Sequence, residues 1–178
     1  MKIIIKYYKS PVGSLVLGSY DNKLCLCDWR YRKMSKPVDT RIQSLLKTSY
    51  VEGESQVINL AIEQLNAYFK GTLKEFRIPL LFVGSNFQKQ VWNSLLTVPY
   101  GKTKSYLELS EILGNRKAIR AVAAANGANA ISIIVPCHRI IGSDGKLVGY
   151  AGGIDVKRNL LNLEKKHSGL GVQTRMIF

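Results

Sequence analysis

Residues 131–142 read Ile-Ser-Ile-Ile-Val-Pro-Cys-His-Arg-Ile-Ile-Gly. The apolar, β-branched run at 131–135 predicts a buried strand, and Pro136 ends it because proline has no N–H to donate to a neighbouring strand. Cys137 follows at the exit of this strand, beside the imidazole of His138 and the cation of Arg139. A nearby base and positive charge favour the thiolate form of a cysteine. The stretch therefore predicts a reactive thiol held by a buried framework.

An isolated cysteine among hydrophobic residues is more often inert packing than a nucleophile. Here, however, residues 136–139 read Pro-Cys-His-Arg and residues 149–153 read Gly-Tyr-Ala-Gly-Gly. This pair of motifs resembles the active site of the O6-alkylguanine-DNA alkyltransferases, also called methylated-DNA-protein-cysteine methyltransferases. The resemblance covers residues 87–166 closely and the N-terminal part in outline. It favours the nucleophile over the inert cysteine.

Composition bounds the class of protein and its partners. The chain has 178 residues and a net charge of +14, and 13 of its 26 basic residues lie in residues 1–82, so the charge is not held in one tail. Such a charge favours a polyanionic partner, with nucleic acid the leading candidate. No run of about 18 apolar residues is present, and the start lacks the apolar core of a signal peptide. With only three cysteines, we expect a soluble, cytoplasmic protein, or a nuclear one in a eukaryote.

The first part of the chain predicts an antiparallel meander. Short β-branched or aromatic runs are separated by turn residues at 2–8, 14–20 and 24–29. In the third run Cys25 and Cys27 alternate with leucines, so both should face the same side of one strand. With only two histidines in the chain, a zinc site built on this cysteine pair is disfavoured. We therefore predict no metal site.

A helix and a connector complete the N-terminal part. Residues 30–54 predict a loop with at most one short helix, whereas 57–69 have the apolar spacing of an amphipathic helix that should cover the sheet. Residues 76–82 contain Pro79 and predict an edge strand or an extended connector. We expect an α+β protein, with an α/β N-terminal domain over residues 1–82, RNase H-like by resemblance, and a second domain over residues 83–178.

The second domain predicts a helix-turn-helix. Helical apolar spacing or helix-start and helix-stop residues occur at 87–97, 106–113, 116–127 and 156–166. Ser105 with Glu108 forms the pattern of a capping box, and Gly114 ends the helix that follows. The helices at 106–113 and 116–127 join through this short Gly-containing turn as a helix-turn-helix, and the β-rich segment after them should supply a wing. This domain is therefore expected to be winged-helix-like and to carry the alkyltransferase site.

The third helix predicts a surface that approaches DNA closely. It is rich in alanine, which alone would suit any helix, but a minor groove only about 6 Å wide admits a helix best when that helix lacks bulk. By resemblance, Arg120 enters the base stack and fills the gap left by an extruded nucleotide. The residues that we predict to contact DNA are small, polar or cationic: Arg120, Ala121, Ala123, Ala124, Ser105 and Arg139.

The resemblance also assigns the chemistry. It implies that Glu164 orients His138, that His138 deprotonates Cys137 through a water molecule, that Tyr106 donates a proton toward the leaving guanine, and that the Asn129 amide joins the two halves of the site. The residues implied to line the alkyl pocket are Ile140, Tyr150, Ala151 and Gly152. Without the resemblance, Glu164 would be one solvated acid and Tyr106 a surface aromatic.

Some positions depart from the family pattern. Ala130 stands where relatives usually have proline, Asn126 where methionine is common, and Ala123 where glycine is frequent. Gly152 stands where some relatives have tryptophan, which predicts a pocket wide enough for a benzyl group. In this interpretation, Gly152→Trp would exclude benzylguanine while sparing methyl transfer.

The implied activity is direct reversal of DNA damage. The expected partner is double-stranded DNA containing O6-alkylguanine, whose alkyl group would pass irreversibly to Cys137 of a monomeric protein without a cofactor. Whether O4-alkylthymine is also repaired stays open. Two alternatives are a non-catalytic sensor of alkylated bases, which would normally lack the cysteine, and a Cys-His hydrolase, which would leave the small helix face and the +14 charge unexplained.

Overall fold

The computed structural model describes residues 1–32 and 35–169 of the chain. The α+β fold class is confirmed. The strands are β1 (Ile3–Ser10), β2 (Gly13–Tyr20), β3 (Lys23–Trp29), β4 (Tyr50–Glu52), β5 (Lys104–Ser105) and β6 (Ile140–Ile141). The helices are α1 (Ser35–Leu46), α2 (Gln56–Phe69), α3 (Asn86–Leu96), α4 (Tyr106–Ile112), α5 (Ile119–Gly127) and α6 (Ile154–His167). Short 3₁₀ turns occupy Arg116–Ala118 and Cys137–Arg139.

The first three strands form the predicted antiparallel meander, and β4 adds to it. The sheet order is β3-β2-β1-β4, with β4 parallel to β1. The interpretation of residues 30–54 as mostly loop is wrong, because both α1 and β4 lie there. The helix α1 buries only Val38 and Ile42. Its other residues are mostly polar or basic, so the sequence shows little of the apolar spacing that identifies an amphipathic helix. A strand of three residues such as β4 is also too short to show alternation.

Cys25 and Cys27 do not face the same side of β3. Gly18 pairs with Leu26 and Ser19 with Leu24, so Cys25 is an extra residue in a β-bulge. A bulge inserts one residue and reverses the alternation beyond it. Cys25 therefore packs in one core cluster with its neighbour Leu26, and Cys27 packs in the other.

The helix-turn-helix forms as predicted. Ser105 caps α4 with a capping box to Glu108, and Gly114 follows the helix end with a φ of 73°. The third helix begins with the 3₁₀ turn and continues as α5. The predicted β-rich wing is reduced to the two-residue pair β5–β6 and an irregular loop, so this expectation is wrong.

Residues 131–135 are buried but do not form the predicted strand. Ile131 makes one isolated bridge to Cys27, and the chain then turns, with Val135 N–H donating to the Ile131 carbonyl at 2.9 Å. The Asn129 side chain holds the turn by accepting from Ile131 N–H at 2.9 Å and donating to the Val135 carbonyl at 3.0 Å. Periodicity cannot distinguish such a buried turn from a short strand.

The core lies between the sheet and the helices. One large cluster joins β2, β3 and α2 to α3, α4, α5 and the segment before Cys137. Within the described residues, no helix is both long enough and apolar enough to cross a membrane. Nor do those residues gather three or more potential metal ligands at one place.

Candidate active site

Cys137 opens the 3₁₀ turn directly after Pro136, and its side chain is 4% exposed. Burial raises the pKa of the Cys137 thiol, while the amide of Asn129 lowers it. The more distant charges also act: Asp28 raises this pKa, and Lys157 and Arg32 lower it. Because burial outweighs the cations, the resting group is a protonated thiol that needs a base to become a nucleophile.

His138 and Glu164 form a fully buried pair whose Nε2 and Oε1 atoms lie 2.7 Å apart. Burial alone would raise the pKa of Glu164, but His138 and Arg139 outweigh it and hold that pKa well below its usual range. Burial lowers the pKa of His138, and Glu164 offsets this only in part. A neutral imidazole beside a carboxylate carries its proton on Nε2, so Nδ1 is left with a lone pair. The structure thus pairs His138 with Glu164, and Cys137 precedes His138 in the same 3₁₀ turn.

Arg139 is buried, so the predicted contact with DNA is wrong. Its Nε and Nη2 atoms donate to the two carboxylate oxygens of Glu164 at 2.9 and 3.0 Å, and Nη1 donates to the Val98 carbonyl at 2.6 Å. The guanidinium also lies 5.7 Å from the ring centroid of Tyr100. The 3₁₀ turn directs both His138 and Arg139 toward α6. The cation of Arg139 therefore stabilises Glu164 rather than the thiolate.

Tyr106, at the start of α4, lines the same cavity as Cys137. Burial, and then the charge of Cys137, raise the pKa of Tyr106, so the phenol keeps its proton at neutral pH. Its hydroxyl oxygen accepts from Asn126 Nδ2 at 3.4 Å. The sequence alone predicted no role for Asn126. The only signal was that Asn126 stands where methionine is common in the family.

A cavity of about 720 Å³ joins these groups. Cys137, Tyr106 and Asn129 contribute to its wall, together with the predicted pocket residues Tyr150, Ala151 and Gly152. Ligand sites for small molecules commonly measure about 300–1,000 Å³, so the cavity can hold a purine with a substituent. Ile140, the fourth predicted pocket residue, is fully buried, and its carbonyl accepts from Lys157 Nζ at 2.6 Å.

The surface of α5 has the expected small side chains. Arg120, Ala121 and Ala124 are exposed, and Ala123 is half-buried in the cavity wall. Ser105 has a structural task, because its hydroxyl oxygen accepts from Glu108 N–H at 3.1 Å as the cap of α4. The exposed face of α5 thus borders the cavity that contains Cys137.

Comparison with protein families covers nearly the whole chain. Residues 3–82 match the ribonuclease-like domain of 6-O-methylguanine DNA methyltransferase, and residues 86–166 match its DNA binding domain. The chain belongs to the 6-O-methylguanine DNA methyltransferase family. A methylated-DNA–protein-cysteine methyltransferase of Mycolicibacterium paratuberculosis is 57% identical over 89% of this chain and 90% of its own length. One of Methanosarcina acetivorans is 44% identical over 88% of this chain and 95% of its own length.

Solved structures agree with the family. The crystal structure of the Mycobacterium tuberculosis O6-methylguanine methyltransferase is 42% identical, covers 93% of this chain and 94% of its own, and superposes with a TM-score of 0.78. The structure of Mycobacterium tuberculosis OGT in complex with DNA, also 42% identical, covers 92% and 94% with a TM-score of 0.79.

In this member of the methyltransferase family, Trp29 fills the space beside Gly152. A Cβ atom at Gly152 would lie 2.6 Å from Cε2 and 2.8 Å from Cδ2 of the Trp29 indole. A tryptophan at position 152 would therefore collide with Trp29, so the expectation that Gly152→Trp narrows the pocket while sparing methyl transfer is wrong. Trp29 comes from β3, more than 120 residues earlier in the chain, so no local pattern could reveal it.

Two arginines from the N-terminal part of this methyltransferase bind the C-terminal end of α5. No motif in the sequence predicts this contact. Arg32 donates to the carbonyls of Gly127 and Asn129, and its Nη1 atom pairs with Asp28 at 2.7 Å. Arg41 donates to the Ala128 carbonyl at 2.8 Å. Cations beside the last carbonyls of a helix are favourable, because those groups carry the negative end of the helix dipole. These contacts fix the C-terminal end of α5 next to the cavity.

Proposed function

We propose that this protein repairs DNA by moving the alkyl group from O6 of a modified guanine to Sγ of Cys137, once per molecule. The observation that carries the proposal is the position of Cys137 in the wall of a cavity bordered by the small face of α5. The relatives named methylated-DNA–protein-cysteine methyltransferase support the same chemistry. The DNA complex of a 42% identical relative supports DNA as the partner, and we infer that this DNA is double-stranded.

The modified base reaches Cys137 by leaving the DNA stack. A base inside a duplex cannot reach a buried sulfur, and extruding it costs a few kcal/mol. The exposed Arg120 on α5 would fill the gap in the stack, while Ala121 and Ala124 let the helix approach the groove. Phosphate contacts from a protein of net charge +14 would offset the cost of extrusion.

The transfer is a displacement at the alkyl carbon. His138 Nδ1 accepts the thiol proton through a bridging water molecule, and Glu164 stabilises the imidazolium that results. The thiolate of Cys137 attacks the alkyl carbon, a C–S bond forms, and the C–O6 bond breaks. The electron pair passes to guanine, which takes a proton from Tyr106. The proton that His138 took from the thiol then returns through solvent to the Tyr106 phenolate, so protons and electrons balance and the proposal requires no cofactor or metal ion.

The product explains why each molecule would act once. A thioether on Cys137 cannot be hydrolysed by a neutral imidazole and a carboxylate, so the sulfur is not regenerated. Tyr150, Ala151 and Gly152 would surround the alkyl group, since they line the cavity with Cys137. We also infer that the protein acts as a monomer, with an N-terminal domain over residues 1–82 and a catalytic domain over residues 83–178.

Intact-protein mass spectrometry tests this proposal. After mixing with an oligonucleotide that contains O6-methylguanine, the protein should gain the mass of one methylene unit, and peptide mapping should locate it on Cys137. Cys137→Ser should bind the same DNA and gain nothing, because a hydroxyl is a far poorer nucleophile. Cys25→Ser is the matched control, since its hydroxyl can donate to the Gly18 carbonyl as the thiol does, and it should gain the full mass.

Two other outcomes would replace the proposal. Tight binding of the alkylated oligonucleotide without any change in protein mass would indicate a sensor of alkylated bases. Repeated turnover of an acyl or ester substrate with no stable adduct would indicate a Cys-His hydrolase. An alkyl label on a peptide without Cys137 would contradict the assigned nucleophile.

A further inference from the structure

Trp29 on β3 packs behind the segment of residues 149–153, which we call the pocket loop. A Cβ atom at Gly152 would lie 2.6 Å from Cε2 and 2.8 Å from both Cδ2 and Nε1 of the indole. Real Cβ atoms do not approach other atoms so closely, so the backbone of Gly152 lies directly against the indole. Trp29 is only 6% exposed and therefore acts from behind the cavity wall, to which Gly152 belongs.

The indole is itself fixed by the sheet. A Cβ atom at Gly13, the first residue of β2, would lie 3.2 Å from Cζ3 in the six-membered ring. Leu15 on β2 is the strand partner of Trp29, and both side chains belong to the large core cluster. Glycines on two distant segments thus contact the two rings of one indole. Trp29 is therefore a rigid support between the sheet and the pocket loop.

The pocket loop is held at its ends and contacts Trp29 in its middle. The N–H of Lys157 donates to the Gly153 carbonyl at 3.1 Å. Gly149 and Gly153 have φ angles of 43° and 91°, and a Cβ atom at either would meet nothing within 4 Å. Glycine has the widest range of backbone conformations, so a segment with a glycine at each end can bend outward about them. The contact between Gly152 and the indole opposes that movement.

The same indole supports the largest side chain of the pocket loop. The rings of Trp29 and Tyr150 meet edge to face, with their centroids 6.0 Å apart and an interplanar angle of 69°. On its other contact, Tyr150 lies 6.3 Å from the imidazole of His138. Loss of the indole would therefore release both the backbone of the loop and its aromatic ring.

We propose that Trp29 is a specificity-determining residue, whose indole limits the size of the O6 substituent that can reach Cys137. This inference rests on the proposed alkyl transfer and concerns the substrates of the same site. Tyr150, Ala151 and Gly152 line the cavity with the sulfur, so an oversized substituent must push the pocket loop against the indole. Close-packed side chains resist such overpacking. The substrates are therefore guanines with a small alkyl group or one aromatic ring at O6, and a second ring is excluded.

The test compares oligonucleotides that carry O6-benzylguanine or O6-(4-phenylbenzyl)guanine. Both present a benzylic carbon to the sulfur, so the two substrates differ in distal bulk rather than in the reacting group. Single-turnover rates are followed by intact-protein mass. In the unmodified protein the second ring should slow transfer strongly. Trp29→Phe frees space behind Gly152 and should raise the ratio of 4-phenylbenzyl to benzyl transfer at least about tenfold, the discrimination expected from a change in pocket volume.

Ile42→Val is the matched control. Ile42 is fully buried on α1 in the other core cluster, so its truncation loosens packing without touching the pocket loop. The ratio of the two rates in this variant should equal that of the unmodified protein. Trp29→Val is a second test variant, because a β-branched residue suits a strand. It should raise the ratio at least as far as Trp29→Phe, since it removes the whole ring.

Methyl transfer from an O6-methylguanine oligonucleotide separates this inference from the proposed function. If the unmodified protein gains no methyl group, the proposed function fails. If it does, the role of Trp29 alone is overturned when both Trp29 variants keep the unmodified ratio, or when the unmodified protein accepts both benzylic groups equally fast. If the unmodified protein accepts neither group, Trp29→Phe should gain benzyl transfer, and its failure to do so rejects the role. If neither Trp29 variant folds, by circular dichroism, Trp29 is a folding residue and the specificity role is rejected.

Discussion

Glu164 is the residue on which three separate segments converge. Its carboxylate accepts from Tyr68 Oη at 2.8 Å, from Gly101 N–H at 3.0 Å, from His138, and from Arg139. The group is fully buried, so these donors replace water entirely. Orientation of the imidazole and packing of the N-terminal helix α2 against α6 therefore depend on the same carboxylate.

Glu164→Gln should slow alkyl transfer and destabilise the fold. The neutral amide leaves the buried Arg139 unpaired, and breaking a buried ion pair costs about 3–5 kcal/mol. The folded-state pKa of Glu164 is lowered, so its stabilisation is complete above the unfolded value of about 4.3 and is lost as the pH falls below it. Urea unfolding of both proteins should show a large difference near pH 7 that shrinks below about pH 4.

Glu63→Gln provides the control, because Glu63 is an exposed acid on α2. Its unfolding free energy should follow that of the unmodified protein at every pH. A Glu164→Gln variant as stable as the unmodified protein at neutral pH would contradict the assigned ion pair.

Gly152→Trp should disrupt the pocket rather than only narrow it. Even a Cβ atom would collide with the Trp29 indole, and forcing extra atoms into a packed site costs about 1–3 kcal/mol or more. We expect lower stability and loss of methyl transfer. Adding Trp29→Ala should recover part of both, because the two tryptophans would otherwise compete for one space.

Unfolding free energies of the two single variants and the double variant measure this coupling. Additive effects would show that Trp29 and residue 152 do not share the space. A Gly152→Trp variant that keeps full stability and methyl transfer while excluding benzylguanine would restore the simpler interpretation from the sequence.

The helix α5 has exposed residues near its N-terminal end, and hydrogen bonds from other segments fix its C-terminal end. Arg120, Ala121 and Ala124 are exposed, whereas the carbonyls at the other end accept from Arg41, and the Ala125 carbonyl accepts from Trp92 Nε1 at 2.9 Å. A helix held in this way can press on DNA without shifting relative to the cavity.

Arg120→Ala should slow repair of duplex DNA much more than reaction with the free modified base. The free base needs no extrusion and no group to fill the stack. Single-turnover rates on the two substrates give the comparison, and Lys74→Ala, an exposed lysine that lines two pockets other than the Cys137 cavity, is the control. Equal losses on both substrates would indicate that Arg120 serves folding or general charge.

The sequence predicted those elements whose signals are local. Helical spacing and the Ser105–Glu108 capping box lie within a few residues, and they gave α2 to α6 to within three residues at each end. The turn at 131–135 was not predictable, because its shape depends on the Asn129 side chain and on pairing with β3. Burial of Arg139 was missed for a similar reason, since a short turn does not reveal which way its side chains point.

The charged positions on α6 did contain an unused signal. Lys157, Leu160 and Glu164 are spaced for one helix face, and all three are buried. A lysine and a glutamate in register with a core leucine indicate buried charges with specific partners rather than a solvated face. Trp29 and Arg32 had no such signal, because they reach the site only through the packing of β3.

At the scale of the whole molecule, the net charge of +14 predicts strongly salt-dependent DNA binding. A protein that neutralises several phosphates releases bound counterions, so log K should fall linearly with log salt, by about 0.9 per phosphate contact. Fluorescence anisotropy at several salt concentrations measures the slope. Arg120→Ala should change the slope by no more than about one contact, and a slope near zero would contradict binding through phosphates.

The edge strand β3 is not left unpaired along its outer side. The connector over residues 76–82 pairs with β3 at Leu24. The segment before the active site pairs with β3 at Cys27, whose N–H donates to the Ala130 carbonyl at 2.8 Å. Unpaired strand edges template association between chains, and covering them suppresses aggregation. A protein spent after one reaction has a repair capacity equal to its copy number. A covered β3 edge disfavours pairing between stored molecules, so the number of lesions that a cell can erase depends on how many molecules it makes.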